Sequence, residues 1–190
     1  MIHERGYWLS TDETKTHMFD EPLCEAIALF FQKSRKIVDL GCGDGSYTKY
    51  LISKGFDCKG YDGSPLTGQL TDNICGILDL SEKIDIGKYD LVLCLEVGEH
   101  IPVIYEQIFI DNICKASNQY IILSWAVEGQ PGYGHVNCRN NDYVIDQMKK
   151  RNYSHILDNS QYFRGKSTFT WFKNTLMFFE YDYGSFNKLR

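Results

Sequence analysis

The sequence predicts an α/β fold: a doubly wound, mostly parallel sheet of seven strands with helices on both faces. Three observations predict it. Segments of strand character alternate with segments of helical periodicity along the chain. Most strand segments are unbroken apolar runs, which suits strands buried on both faces. The first of them ends in closely spaced glycines ahead of a helix, where sheets of this kind receive ligands. At 190 residues with 43% hydrophobic and 24% charged, the chain is long enough to bury its own core. A single domain over 1–190 is expected, with residues 1–33 forming an N-terminal lid and helix within it.

The elements follow in order. Residues 1–20 are polar with scattered aromatics, and Pro22 then opens a helical pattern with apolar residues at 23, 26, 27, 29 and 30. RKIVDL (35–40) is a short apolar run that ends in glycines, hence a buried strand. Ser46–Ser53 reads as a helix, CKGYD (58–62) as the second strand and CGILDL (75–80) as the third. YDLVLCLE (89–96) is the clearest strand, followed by a helix over 103–116 and a strand over QYIILSWA (119–126). One Pro and three Gly set EGQPGYGHVN (128–137) as a loop. Residues 142–151 read as a helix, and strand-like segments near 154–163 and 174–183 complete the set.

Several function classes drop out on composition. A net charge of −5 with no basic run disfavours nucleic-acid binding, because Lys and Arg supply most of that affinity. No apolar run approaches the ~18 residues a membrane helix needs. MIHERGYWLS at the start has no apolar core, so no signal peptide is expected. The seven cysteines show no C-x-x-C pair, which argues against a zinc ribbon. They read as small hydrophobes in a reducing, cytoplasmic setting.

Val38-Asp39-Leu40-Gly41-Cys42-Gly43-Asp44-Gly45-Ser46 carries the chemistry. Glycines there allow a ligand close to the backbone. A dinucleotide fingerprint wants glycine where Ser46 stands, and the lysine of a phosphate loop is absent. Asp39 and Asp44 suit a cationic ligand better than a pyrophosphate.

These residues resemble the first motif of class I S-adenosylmethionine-dependent methyltransferases, an acid followed by G-x-G-x-G: here Asp39, Gly41, Gly43 and Gly45. The resemblance runs over about 35–126. It implies the strand order 3-2-1-4-5-7-6 with the last strand antiparallel, and S-adenosylmethionine as methyl donor. It places Asp62 on the ribose hydroxyls and Asp79-Leu80 on the adenine, and it makes 89–101 the fourth-strand segment, with Glu96 beside the donor. ETKTHMFDEPL (13–23), EVGEHIP (96–102) and LSWAVEGQPGYGHVN (123–137) are similar to small methyltransferases found beside glycosyltransferases. That implies a small polar acceptor, a sugar or nucleotide sugar among the candidates.

An alcohol acceptor has a proton to lose, and histidine suits that work near neutral pH. His135, in the loop after the fifth strand, is the expected base or substrate-binding group, with His100 the other candidate base and Glu99 orienting it or the acceptor. Packing roles for both histidines stay open at this point. His17 and Trp8, with Phe19, belong to the leader expected to cover the site; His3 is expected in solvent and His155 in a structural role. No metal is expected, because Ser124-Trp125-Ala126 offers no acid at the fifth strand's tip for a hard divalent ion. The N/D-P-P-Y/F signature of some N-methyltransferases is absent; Glu96-Val97-Gly98-Glu99 stands in its place. N-methylation of an amine, with Glu96 and Glu99 binding the cation, remains the alternative, as does a donor-binding subunit without catalysis.

Overall fold

The computed structural model describes residues 1–10, 17–33 and 35–184. Its strands are β1 (Lys36–Leu40), β2 (Asp57–Asp62), β3 (Gly76–Ile77), β4 (Tyr89–Leu95), β5 (Ser117–Ser124), β6 (Tyr153–His155) and β7 (Met177–Tyr181). They form one sheet in the order β3-β2-β1-β4-β5-β7-β6. The β3–β2, β2–β1, β1–β4 and β4–β5 pairs are parallel; β7 runs antiparallel to both β5 and β6. The chain winds outward from β1 to β3, then returns to β4 beside β1. That reversal opens a crevice at the carboxyl ends of β1 and β4, where such sheets bind ligands.

The helices are α1 (Glu21–Phe30), α2 (Ser46–Ser53), α3 (Thr67–Leu70), α4 (Glu106–Ala116), α5 (Asn141–Lys149), α6 (Leu157–Lys166) and α7 (Phe172–Thr175). The Asp20 carboxylate accepts from the Leu23 N–H and caps α1, which buries Leu23, Cys24, Ala26 and Ile27. Successive residues of β1 and β4 point to opposite faces. Val38, Val92 and Cys94 pack with Phe109 and Ile113 of α4 and Met148 of α5. Ile37, Leu91 and Leu93 pack with Leu23 and Ile27 of α1, Leu51 of α2 and Phe163 of α6. Both faces are covered, so the strands cannot alternate apolar with polar, which is why they read as unbroken apolar runs. Each fully buried Leu or Ile contributes roughly 1.5–3 kcal/mol.

The structure departs from expectation at two strands. The segment expected as a strand over 154–163 pairs only at Tyr153–His155 and then becomes α6. Ser160 and Phe163 are its buried residues, a three-residue spacing that belongs to a helix. Asp158 in its first turn and Arg164 and Lys166 in its last suit the helix dipole. The third strand shrinks from 75–80 to Gly76–Ile77 at the sheet's edge, where it has one neighbour. No helix among the described residues is long and apolar enough to cross a membrane.

Candidate active site

After β1 the chain turns sharply back toward the end of β2. The N–H groups of Gly41 and Cys42 both donate to the Tyr61 carbonyl, at 2.8 and 3.0 Å. Gly41 (φ +79°) and Gly43 (φ +56°) hold the left-handed backbone that glycine adopts without strain. Side chains would also collide there: a Cβ on Gly41 would sit 2.3 Å from a Val97 methyl, and one on Gly43 would sit 2.9 Å from the His17 ring. The Gly43 N–H donates to Asp62 at 3.0 Å, and the other Asp62 oxygen accepts from the Ser64 N–H at 2.8 Å. Asp62 therefore braces the glycine turn from the end of β2. Gly45 (φ +74°) starts α2.

Beneath the turn, Asp39 is buried and accepts from the Thr48 hydroxyl at 2.8 Å. Burial pushes its carboxyl up to about 7 against that hydrogen bond, and the nearby Cys75, Asp62 and Asp44 add to the rise. Asp62 is raised as well, by burial, against the backbone N–H groups it accepts from.

At the end of β3, Asp79 takes the Ser81 N–H and hydroxyl on one oxygen, at 2.8 and 2.6 Å, and Arg5 on the other at 2.9 Å. Burial opposes these bonds, but Ser81 and Arg5 hold Asp79 below the usual carboxylate range. Arg5 also pairs with Glu82. The leader is thus tied across the site rather than extended into solvent. Ile2 bridges Trp8, and Gly6 lies against the His100 carbonyl, where a Cβ would come within 2.1 Å. Leu80 is buried and its carbonyl accepts from Asn112 of α4 at 2.9 Å.

β4 ends in Glu96, whose φ of +52° is uncommon for a residue with a side chain. Its N–H donates to the Ser124 hydroxyl at 2.8 Å, and its carboxylate accepts from Gln130 at 2.8 Å and from Thr175 at 3.4 Å. A short 3-10 turn, Gly98–His100, follows. Gly98 lies flat on the buried Trp125 ring, whose N–H donates to the Asn137 carbonyl at 2.6 Å.

The loop after β5 docks on that turn. The Val136 and Asn137 N–H groups both donate to the Glu99 carbonyl, at 2.8 and 3.0 Å. This docking sets His135 beside His100, with ring centroids 5.1 Å apart. His100 Nδ1 donates to the Gly134 carbonyl and His135 Nδ1 to the Gln130 carbonyl, each at 3.2 Å. His135 Nε2 lies 3.9 Å from Glu99 Oε1. Glu99 is fully buried, and neither carboxyl oxygen meets a hydrogen-bond partner among the described residues. Burial, with the charge of Glu96, raises its carboxyl well above the ordinary value, against the nearby Glu99 and Ala126 N–H groups. Burial also lowers His100 to about 4, helped by His135 and opposed by the Gly134 carbonyl.

A cavity of about 860 Å³ joins these parts. Asp39, Gly41, Gly43, Asp62, Asp79 and Leu80 line it on the β1–β3 side; Glu96, His100 and His135 line it on the β4–β5 side. Gly45 and Glu99 lie outside the wall. Trp8 also lines it, stacked on His17 at 4.8 Å, and so does Trp171, stacked on Phe169 at 4.7 Å. Phe19, expected with the leader, packs instead on Tyr47 and Tyr50. His3 is half-buried and stacked on Tyr7 at 4.3 Å rather than standing in solvent. His155 binds the Ser160 hydroxyl at 2.9 Å, a structural contact. Positions 13–16 of the leader motif lie outside the described residues. Arg5, Gln130 and Trp171 carried no recognisable signal in the sequence: each is a lone polar or aromatic residue until the fold brings it to the wall.

A family model of the methyltransferase domain matches residues 15–124. Tocopherol O-methyltransferase of Arabidopsis thaliana is 34% identical over 84 residues, covering 37% of this chain and 24% of that protein. Ubiquinone biosynthesis O-methyltransferase of Pectobacterium atrosepticum is 29% identical over 79 residues, covering 36% of this chain and 33% of that protein. These matches span about a quarter to a third of the curated relatives' length. Among solved structures, magnesium protoporphyrin IX methyltransferase from Synechocystis PCC 6803, with S-adenosylhomocysteine bound, has a TM-score of 0.60 at 20% identity, covering 84% of this chain and 80% of that one. A TehB-like S-adenosylmethionine-dependent methyltransferase from Corynebacterium glutamicum has a TM-score of 0.61 at 18% identity, covering 85% and 87%. The two structures show the same fold, and the family match covers more than half of the chain. On that match, and on the strand order and glycine turn it falls across, this chain belongs to the class I S-adenosylmethionine-dependent methyltransferases, with S-adenosylmethionine as its cofactor.

Proposed function

We propose that the protein methylates a hydroxyl of a small acceptor, and that Glu99, His100 and His135 form the centre where that hydroxyl loses its proton. The observation that carries this reading is the meeting of these three residues at the tips of β4 and β5, across one cavity from the glycine turn. At about 860 Å³ the cavity is near the upper end of ligand pockets, roughly 300–1,000 Å³, which leaves room for a donor and a second small molecule.

The donor supplies an electrophilic methyl on a sulfonium. The residues present fit it. Gly41 and Gly43 leave the backbone open to close approach, and Gly45 completes the turn. Asp62 is the acceptor for ribose hydroxyls, and Asp39 and Asp44 supply negative charge for a cationic ligand. Asp79 and Leu80 flank the adenine, with Arg5 closing the leader over that end. In the transfer, the acceptor oxygen bonds to the methyl carbon as the carbon–sulfur bond breaks, and the hydroxyl proton leaves at the histidine cluster. Holding the two reactants in line is worth roughly 7–11 kcal/mol of barrier.

Hydroxyl acceptors are favoured over amines because the Glu96 carboxylate is already engaged by Gln130 and Thr175 and Glu99 lies outside the cavity wall, leaving both poorly placed to bind an ammonium. Trp8 and Trp171 on the wall suit an acceptor with a ring, whether a sugar or an aryl ring. The relatives' names speak of tocopherol and ubiquinone biosynthesis, and give a sugar acceptor no support. The test is incubation with labelled S-adenosylmethionine and a panel of sugars, nucleotide sugars, phenols and amines, followed by mass analysis. Products O-methylated on a small acceptor are expected. Methylation confined to amines overturns the hydroxyl assignment, and donor binding without any product overturns the enzyme.

A further inference from the structure

We infer that Glu99, His100 and His135 bind one divalent transition-metal ion of the zinc type. One candidate ligand atom from each residue lies within 4.8 Å of the others. Two protein ligands on a tetrahedral zinc, each about 2.1 Å from the ion, stand roughly 3.4 Å apart. The His135 Nε2 to Glu99 Oε1 spacing of 3.9 Å is therefore within a side-chain adjustment of ligand geometry.

Two further features point to an ion rather than to a chance cluster. Both histidines commit Nδ1 to a backbone carbonyl, at 3.2 Å each, which leaves Nε2 as the lone-pair nitrogen. That outer bond to a carbonyl is the usual device that orients a metal-bound imidazole. Glu99 is fully buried, and neither oxygen makes a well-formed hydrogen bond among the described residues, though the Glu99 and Ala126 N–H groups lie near it. A buried carboxyl left that way is costly, and a cation supplies the missing partner. The loop packs closely on this ring, since a Cβ on Gly132 would lie 2.0 Å from His135 Nε2, and an ion would reach Nε2 from the Glu99 side.

The donor set is two nitrogens and one oxygen. That is borderline chemistry, suited to zinc and its neighbours rather than to magnesium or calcium, which take mostly oxygen. The sequence-based expectation of no metal considered only acids at the strand tips. These ligands come instead from the turn after β4 and the loop after β5. His100 and His135 face the cavity, so the fourth position opens to the proposed acceptor. The inference deepens the hydroxyl reading and rests on it for that role: a hydroxyl on the ion would give up its proton more readily, and with both Nε2 atoms on the ion that proton would pass to the Glu99 oxygen the ion leaves free rather than to a histidine. The binding of the ion does not depend on methyl transfer.

The chelator-treated 190-residue chain is titrated with zinc by calorimetry, and with cobalt by visible spectroscopy. One ion per chain is expected, with micromolar or tighter affinity. Glu99→Gln and His135→Ala should each weaken it at least tenfold to a hundredfold, while S-adenosylhomocysteine binding reports that the variants remain folded. No binding tighter than about millimolar overturns the inference. So does equal uptake by the wild type and both variants. A strong cobalt–thiolate band overturns the ligand set in favour of Cys138, whose sulfur lies 3.7 Å from His135 Nδ1. Loss of S-adenosylhomocysteine binding in the wild type would sink the donor pocket and leave the metal result standing.

Discussion

Asp39→Asn tests the electrostatics of the donor pocket. The Asp39 carboxyl is buried beneath the glycine turn and raised from 3.8 to about 7. A carboxyl raised in the fold leaves the protein most stable where it is protonated. Stability linked to Asp39 is therefore fully present below about pH 4 and is lost as pH rises to 7. Three pKa units at about 1.4 kcal/mol each come to roughly 4 kcal/mol lost by pH 8. Asparagine keeps an oxygen that can accept from Thr48 and carries no charge to desolvate. The assay is urea unfolding of the wild type and the variant, without donor, at pH 5 and pH 8. Subtracting one from the other cancels Glu99, which is raised too, and leaves Asp39 together with its coupling to Asp62. The variant should gain on the wild type by a few kcal/mol between pH 5 and pH 8. The donor side should run the opposite way. A cation in the cavity favours the ionised carboxyl, so at pH 6 the wild type should release close to one proton on binding S-adenosylmethionine. Calorimetry in two buffers of different ionisation heat reads that proton, and the variant should release none from this position. A stability difference that stays flat between pH 5 and pH 8 would refute a buried Asp39 carboxyl raised by the fold.

The other predictions concern separate parts of the site. Asp62→Ala removes the proposed ribose acceptor and the brace on the Gly43 N–H. Charge-assisted hydrogen bonds are worth about 1.5–3 kcal/mol, so S-adenosylhomocysteine affinity should fall roughly tenfold to a hundredfold by calorimetry; unchanged affinity in a folded variant sinks the assignment. His135→Ala should lower turnover by about 10²–10⁴-fold with donor affinity nearly intact. Retained activity would make His135 a packing residue, and loss of donor affinity would put the loop on the wrong side of the site. Gly98→Ala drives a methyl to within 2.3 Å of the Trp125 ring, which is fully buried and held by Asn137. Overpacking of that kind costs roughly 1–3 kcal/mol, and at about 2–4 °C per kcal/mol the midpoint should fall by about 2–12 °C; an unchanged melt would mean the ring yields freely.

How much of this was legible in the sequence depended on how local each feature is. β1 and β4 announced themselves because Ile37 and Val38, or Leu91 and Val92, are buried on opposite faces, and burial on both faces leaves an unbroken apolar run. Tyr153 to Phe163 did not, because three aromatics, an isoleucine and a leucine read alike in a strand and in a short helix. What decided was tertiary: Phe163 faces Phe30 of α1, at 5.2 Å, and a helix puts Ser160 on the same side. The same divide runs through the site. The proposed donor half rests on residues at strand ends, Asp39 to Gly45, Asp62 and Asp79, each marked by its place in the pattern. The acceptor half was legible only as a set of residue types. Glu99, His100 and His135 meet because two N–H groups of one loop reach a single carbonyl of another turn, and backbone bonds of that kind carry no side-chain signature. Arg5 is more hidden still, because it meets Asp79 across 74 residues of chain. A contact of that kind changes how a visible motif is read. Asp79 marks the end of β3, yet two bonds from Ser81 and one from Arg5 already occupy its carboxylate. On the proposed reading, adenine recognition there would fall on whatever these bonds leave free, and the segment that brings Arg5 would become part of the donor pocket.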